Sequence, residues 1–146
     1  MAKFVFSFEQ LLNIKRKIEK QEQMKLGKAM QELSAALQRL EVIKYHYQDA
    51  VLELQNSLGS GKIIPVEIKR INESISFYHQ QVEEQNSLVH RLEIQVDEAK
   101  ERVKKALQER KTYEILKEKA LELYLEEEKQ AEAKLIDEIV SFKYRE

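Results

Sequence analysis

The 146-residue sequence contains no cysteine and no tryptophan, a single proline and three glycines. Without cysteine there is no disulfide framework and no thiolate metal site, a pattern that agrees with a reducing compartment. Proline and glycine are the residues that interrupt helices and shape turns. With so few of them, long stretches of chain contain nothing that would stop a helix. Long hydrophobic runs are missing as well, since eighteen consecutive apolar residues occur nowhere. The opening Met1-Ala2-Lys3-Phe4-Val5-Phe6-Ser7-Phe8 is too short in apolar run for a signal core and has no small-residue cleavage site. The expectation is a soluble cytoplasmic protein that meets a membrane only through partners. An excess of charge of one sign is also absent: 25 basic and 26 acidic residues leave a net charge of -1. They alternate as on solvated helix faces, which argues against a helical arm for nucleic acid and against an attraction to anionic lipid.

What is present is the composition of long helices, 42% hydrophobic and 35% charged, so the core should be a seam between helices. Gly59, Gly61 and Pro65 gather the only strong break. The reading is all-α: two long helices in one antiparallel coiled-coil domain over residues 1–146. Helix one spans about 5–58, a loop 59–64, and the longer helix two about 65–142, with Pro65 in a first turn where its missing N–H costs nothing. Folded at the loop, the second helix should overhang the first by roughly thirty residues, or ~45 Å.

Each half carries a 3-4 alternation. In the first it reads Leu26, Met30, Leu33, Leu37, Leu40, Lys44, Tyr47, Val51, Leu54 and Leu58, with Lys44 as a polar interruption that sets register. Upstream, Leu11, Ile14 and Ile18 keep the spacing in another phase, which implies a slip of the stripe between Glu19 and Lys25. In the second half the alternation reads Ile68, Ile71, Ile75, Tyr78, Val82, Gln85, Val89, Leu92, Val96, Ala99, Val103 and Ala106. Beyond it Arg110 and Lys117 fall at seam positions, and apolar residues return in other phases, as if the partner helix had run out. Closure at the loop pairs positions that sum to about 123, so Leu40 should lie near Val82 and the start of helix one near Thr112–Leu116.

Catalytic and ligand-binding motifs find little support. Gly59-Ser60-Gly61-Lys62 resembles part of a phosphate-binding loop, yet Asn56 stands where the leading glycine belongs, Ile63 where the magnesium-binding hydroxyl belongs, and a helix precedes it in place of a strand. Turn chemistry accounts for both glycines. His79 and His90 share a helix face but lie ~16 Å apart, too far to bind one metal. His46, between Tyr45 and Tyr47, reads as a solvated or packing residue, and a two-helix rod offers no deep pocket for catalysis. The expectation is a protein that is not an enzyme and has no cofactor.

The apolar residues of the overhang are more informative. Leu121, Tyr124, Leu125, Leu135, Ile139 and Phe142 have no second helix in the chain to cover them all, so they call for a partner. Phe4, Phe6 and Phe8 either cover part of that segment or contact the partner themselves. Tyr45, Tyr47 and Tyr78 cluster across the proposed hairpin and suit an interface.

Taken together, the N-terminal Phe6-x-Phe8-x-x-Leu11-Leu12, the glycine-containing mid-chain hairpin and the tail from Glu128 to Glu138, with its Lys134-x-x-Asp137-Glu138, give a chain that resembles the FliJ family. These are the small coiled-coil proteins of the bacterial flagellar type III export apparatus. The resemblance implies an antiparallel coiled coil similar to the central stalk of rotary ATPases. It further implies that the free ends enter the pore of the hexameric export ATPase and promote ring assembly. A hairpin patch would touch the cytoplasmic domain of the export gate protein FlhA, and the protein would escort or recycle export chaperones. Flagellum assembly, and with it motility and chemotaxis, would be the process served. Carried onto this sequence, the gate-facing patch is Leu40, Tyr45, Tyr47, Tyr78 and Gln85. The ATPase-facing end is Leu11, Leu12, Ile14, Leu121, Tyr124, Lys134, Asp137 and Glu138. The competing reading is a structural coiled coil that self-associates through the overhang.

Overall fold

The computed structural model describes residues 3–144 and contains two helices, α1 (Glu9–Gly59) and α2 (Pro65–Tyr144). They pack antiparallel and the second is the longer, at 80 residues against 51. The first helix begins four residues later than the periodicity predicts. Before it, the Glu9 amide donates to the Phe6 carbonyl at 3.1 Å and the Leu12 amide to the Phe8 carbonyl at 2.8 Å, so a turn at Ser7–Phe8 leads into the helix. Glu9 then places a carboxylate in the first turn, where the helix dipole favours it.

The loop is closed by short-range chemistry. The Ser60 hydroxyl donates to the Ser57 carbonyl at 2.9 Å, satisfying one of the acceptors that every helix end leaves open. Gly61 takes a φ of +78°, a left-handed conformation that glycine adopts without cost. Pro65 opens α2, and the Ile68 amide donates to the Ile64 carbonyl at 3.1 Å.

The contacts divide the chain into two units: Gln23–Glu101, which contains the loop, and the residues through Glu22 together with those from Arg102 on. In the first of these, the buried or half-buried positions of α1 are Leu26, Ala29, Leu33, Ala36, Leu40, Ile43, Lys44, Tyr47, Ala50, Val51, Leu54 and Ser57. Three of the expected seam positions are revised, while Lys44 and Val51 lie half-buried as expected. Met30, Leu37 and Leu58 are 49, 42 and 50% exposed, and the neighbouring Ala29, Ala36 and Ser57 take the inward positions. Small side chains there let two helices approach closely, whereas the pattern reading favoured the larger residue of each adjacent pair. On α2 the seam from Ile68 to Ala99 is as expected. Leu40 lies in one apolar cluster with Ala36 and Val89, flanked by Leu33, Val82, Leu88 and Leu92. Each such aliphatic burial contributes about 1.5–3 kcal/mol before entropy. Gln85 is buried among them, and its side-chain amide donates to the Ala36 carbonyl across the seam at 2.9 Å.

In the other unit the expected slip of the stripe does not occur. The continuous inward series of α1 is Leu12, Lys15, Glu19 and Glu22, in the same 3-4 spacing as Leu26 and Ala29; of the expected Leu11, Ile14 and Ile18, Leu11 and Ile18 are half-buried next to this series and Ile14 is exposed. On α2 the series runs on through Ala106, Arg110, Tyr113, Lys117, Ala120 and Tyr124. The partner therefore does not run out near Leu116. What changes there is the chemistry of the seam, from apolar to charged.

Candidate interaction surfaces

The terminal unit is held by ion pairs between the helices. Lys15 Nζ lies 3.0 Å from Glu109 Oε2, Lys117 Nζ 2.8 Å from Glu9 Oε2, and Arg102 Nε 3.5 Å from Glu22 Oε2. Arg110 is the centre of the set. Its guanidinium donates through Nε to Glu19, a carboxylate only 8% exposed, and through Nη1 to Glu114 at 2.6 Å. These bonds to carboxylates raise the Arg110 pKa, so it stays charged throughout the working range. The hydrogen bond from Lys15 lowers the Glu109 pKa below the usual glutamate value.

Around this framework Phe6 is buried at 8% exposure and Leu12 fully. Phe8 meets Tyr113 at 6.3 Å between ring centres, and Phe4 meets Tyr124 at 5.4 Å. The N-terminal phenylalanines thus cover α2 as far as Tyr124. Glu128 is the last half-buried residue, and 129–144 are all exposed. The uncovered segment is therefore ~24 Å long at 1.5 Å per residue, about half the expected overhang, because the phenylalanines ahead of α1 lengthen the cover that α1 provides.

Of the residues assigned to this end, Leu11 is half-buried, Leu12 buried and Ile14 51% exposed. Leu121 lies at 39% exposure beside the half-buried Tyr124, and Lys134, Asp137 and Glu138 project from the uncovered segment. The last three line a shallow surface groove with Ser141 and Phe142.

The second surface lies in the loop-containing unit. Tyr45, at 66% exposure, meets His46 at 5.9 Å, and His46 stacks on Tyr78 at 5.5 Å with the rings 24° apart. Phe77, at 56% exposure, packs edge-on to Tyr78 at 5.4 Å, and Tyr47 meets His79 at 6.0 Å. His79 also lies 3.2 Å from Glu83. Leu40 and Gln85, assigned to this surface, are instead buried in the seam, while Tyr45 stands outward and Tyr47 and Tyr78 lie at the edge. Sequence reasoning passed over Phe77, read His46 as a solvated or packing residue and weighed His79 only as a metal ligand, so none of the three was placed at this surface. The signal was available: the triplets Tyr45-His46-Tyr47 and Phe77-Tyr78-His79 occupy facing positions under the pairing rule.

The depressions found are open grooves along the helices, and among the described residues no group of three or more His, Cys, Asp or Glu is placed to hold a metal. None of the described helices is long and apolar enough to cross a membrane.

A cysteine-free antiparallel helical hairpin whose distinctive features are exposed aromatic and apolar surfaces defines a coiled-coil interaction protein. The comparisons make the class specific. The model of the flagellar FliJ protein family matches residues 4–146, and the chain belongs to that family. It is thereby a component of the flagellar and type III export apparatus, in a family of generally non-catalytic coiled coils. A solved structure of a YscO homolog from Chlamydia trachomatis is similar in fold, with a TM-score of 0.62 and 21% identity over 98% of this chain and 96% of that one. No curated protein matches the sequence.

Proposed function

We propose that this chain acts as the central stalk of the flagellar export ATPase, promoting assembly and activity of the hexameric ring and coupling it to the export gate. The observation that carries this reading is the bare end of α2, where apolar residues at helical spacing project beyond the last contact with α1. A helix end that carries exposed apolar residues suits insertion along a ring axis. The residues assigned to the ring are Leu11, Leu12, Ile14, Leu121, Tyr124, Lys134, Asp137 and Glu138. Tyr45, Tyr47 and Tyr78, together with the seam residues Leu40 and Gln85, are assigned to the cytoplasmic domain of the gate protein FlhA. Export chaperones are further partners. The protein works in the cytoplasm without a cofactor, is associated with the inner membrane through the apparatus, and is monomeric when free.

The test is to titrate the cognate export ATPase with the protein, following hydrolysis rate and oligomer size together. Stimulation with ring formation is expected. A chain ended after Glu128 keeps every interhelical ion pair and should lose most of the stimulation; full stimulation by that chain would overturn the reading.

A further inference from the structure

The bare stripe of α2 has acid set into its middle. Leu121, Leu125, Leu135 and Ile139 fall on one helix face, at 39, 57, 57 and 58% exposure. Glu128 and Glu132 lie on that same face, between the two apolar pairs. A shallow groove lined by Tyr124, Leu125, Glu128, Ala131, Glu132 and Leu135, with Lys129 as its one positive charge, marks the place. The surroundings have the same sign, with eight carboxylates against four lysines from Glu118 to Tyr144.

This arrangement discriminates between occupants. A second copy laid antiparallel in the register that sets Leu121 against Ile139, and Leu125 against Leu135, also sets Glu128 against Glu132 twice over, because all three pairs sum to 260. A parallel copy sets each glutamate against itself. Like charges facing each other across an apolar seam are strongly disfavoured, and this is how coiled coils reject wrong partners. A surface with arginine or lysine between two apolar contacts meets the stripe without conflict.

We propose that this stripe docks a basic protein surface of that kind, and that Glu128 and Glu132 select it over a second copy of this chain. The identity of the docked protein rests on the proposed stalk function, in which the basic surface lines the ATPase bore; the chemistry of the stripe does not.

Two arms of one experiment keep these apart. In the first, the full-length protein and its Glu128→Arg/Glu132→Arg variant are sedimented alone and mixed, at about 0.1 M and 0.5 M salt. Each alone should run as a monomer at tens of micromolar, and the mixture should form a 1:1 complex that weakens roughly tenfold or more at the higher salt. Dimerisation of the unaltered protein through this segment, or a mixture no more associated than its components, overturns the proposal. In the second, the Glu128→Gln/Glu132→Gln variant should bind the export ATPase about tenfold more weakly than the unaltered protein at about 0.1 M salt, the gap closing as salt rises. Equal binding overturns the proposal and leaves the stalk reading intact. An ATPase that does not bind the unaltered protein removes the stalk reading, and the mixing arm then decides the proposal.

Discussion

Around Leu40 the two helices meet through leucine, alanine and valine, with one buried amide, Gln85, tied to a carbonyl. Around Arg110 they meet through Lys15, Glu19, Glu22 and Lys117, with Leu12 and Ala106 as the buried aliphatics of the seam. The same 3-4 spacing therefore serves two kinds of adhesion. Apolar burial is strong, undirected and insensitive to salt. Half-buried ion pairs add little net stability, because desolvation offsets attraction, but they penalise wrong registers and respond to salt and acid. The region with the apolar seam is suited to hold the hairpin closed, and the charged region to adjust.

The largest expected effect is in the apolar region. Leu40→Ala should cost about 2–5 kcal/mol in urea unfolding, as for a leucine truncated in a packed core; a cost under 0.5 kcal/mol would mean that the cluster does not hold the pair. Next comes Glu19→Ala, which deprives Arg110 of its most buried partner. Hydrogen exchange should speed up roughly tenfold in residues 9–22 and stay unchanged around Leu40, and uniform loss of protection would erase the distinction between the regions.

Acid should act in the same place. The Glu109 pKa is lowered in the folded state, so its contribution is present above the unfolded glutamate value of about 4.3 and is lost as pH falls below it through the folded value. Circular dichroism and exchange between pH 5 and pH 3 should show the charged region loosening first. In the loop, Gly61→Ala forces a side chain into the left-handed region and should cost about 1 kcal/mol by urea unfolding. Smallest is Arg70→Ala. Its pair with Glu53 at 2.7 Å is largely exposed, and no measurable change in thermal midpoint is expected.

How much of this was legible in the sequence depended on the residue type placed inward. From Ile68 to Ala106 the buried side chains of α2 are nearly all apolar, and the pattern reads off directly. On α1, Ala29 and Ala36 sit beside larger apolar neighbours, Met30 and Leu37, and a rule that favours size picks the wrong member. In the terminal unit many of the inward positions are lysine, glutamate and arginine, among them Lys15, Glu19, Glu22, Arg110 and Lys117, which blurs a hydrophobic pattern, so the seam seemed to slip. The pairing rule, fixed only by where the glycines and proline stand, survived all of this and placed Leu40 in a cluster with Val82. The patches were half visible: tyrosines stand out in a charged sequence, whereas Phe77 and two histidines emerge only when facing positions are compared.

The charged pairs have a consequence for synthesis. Arg70 finds Glu53 across 17 residues of chain, but Glu9 and Lys117 are 108 apart. At about 5–20 residues per second, the start of α1 waits on the order of 5–20 s for its partner to be made. A waiting segment rich in leucine would be a hazard for aggregation during that interval. One that seals its seam with lysine and glutamate stays hydrated until the opposite strand of charges arrives, so nascent chains on the same messenger have little reason to stick to one another.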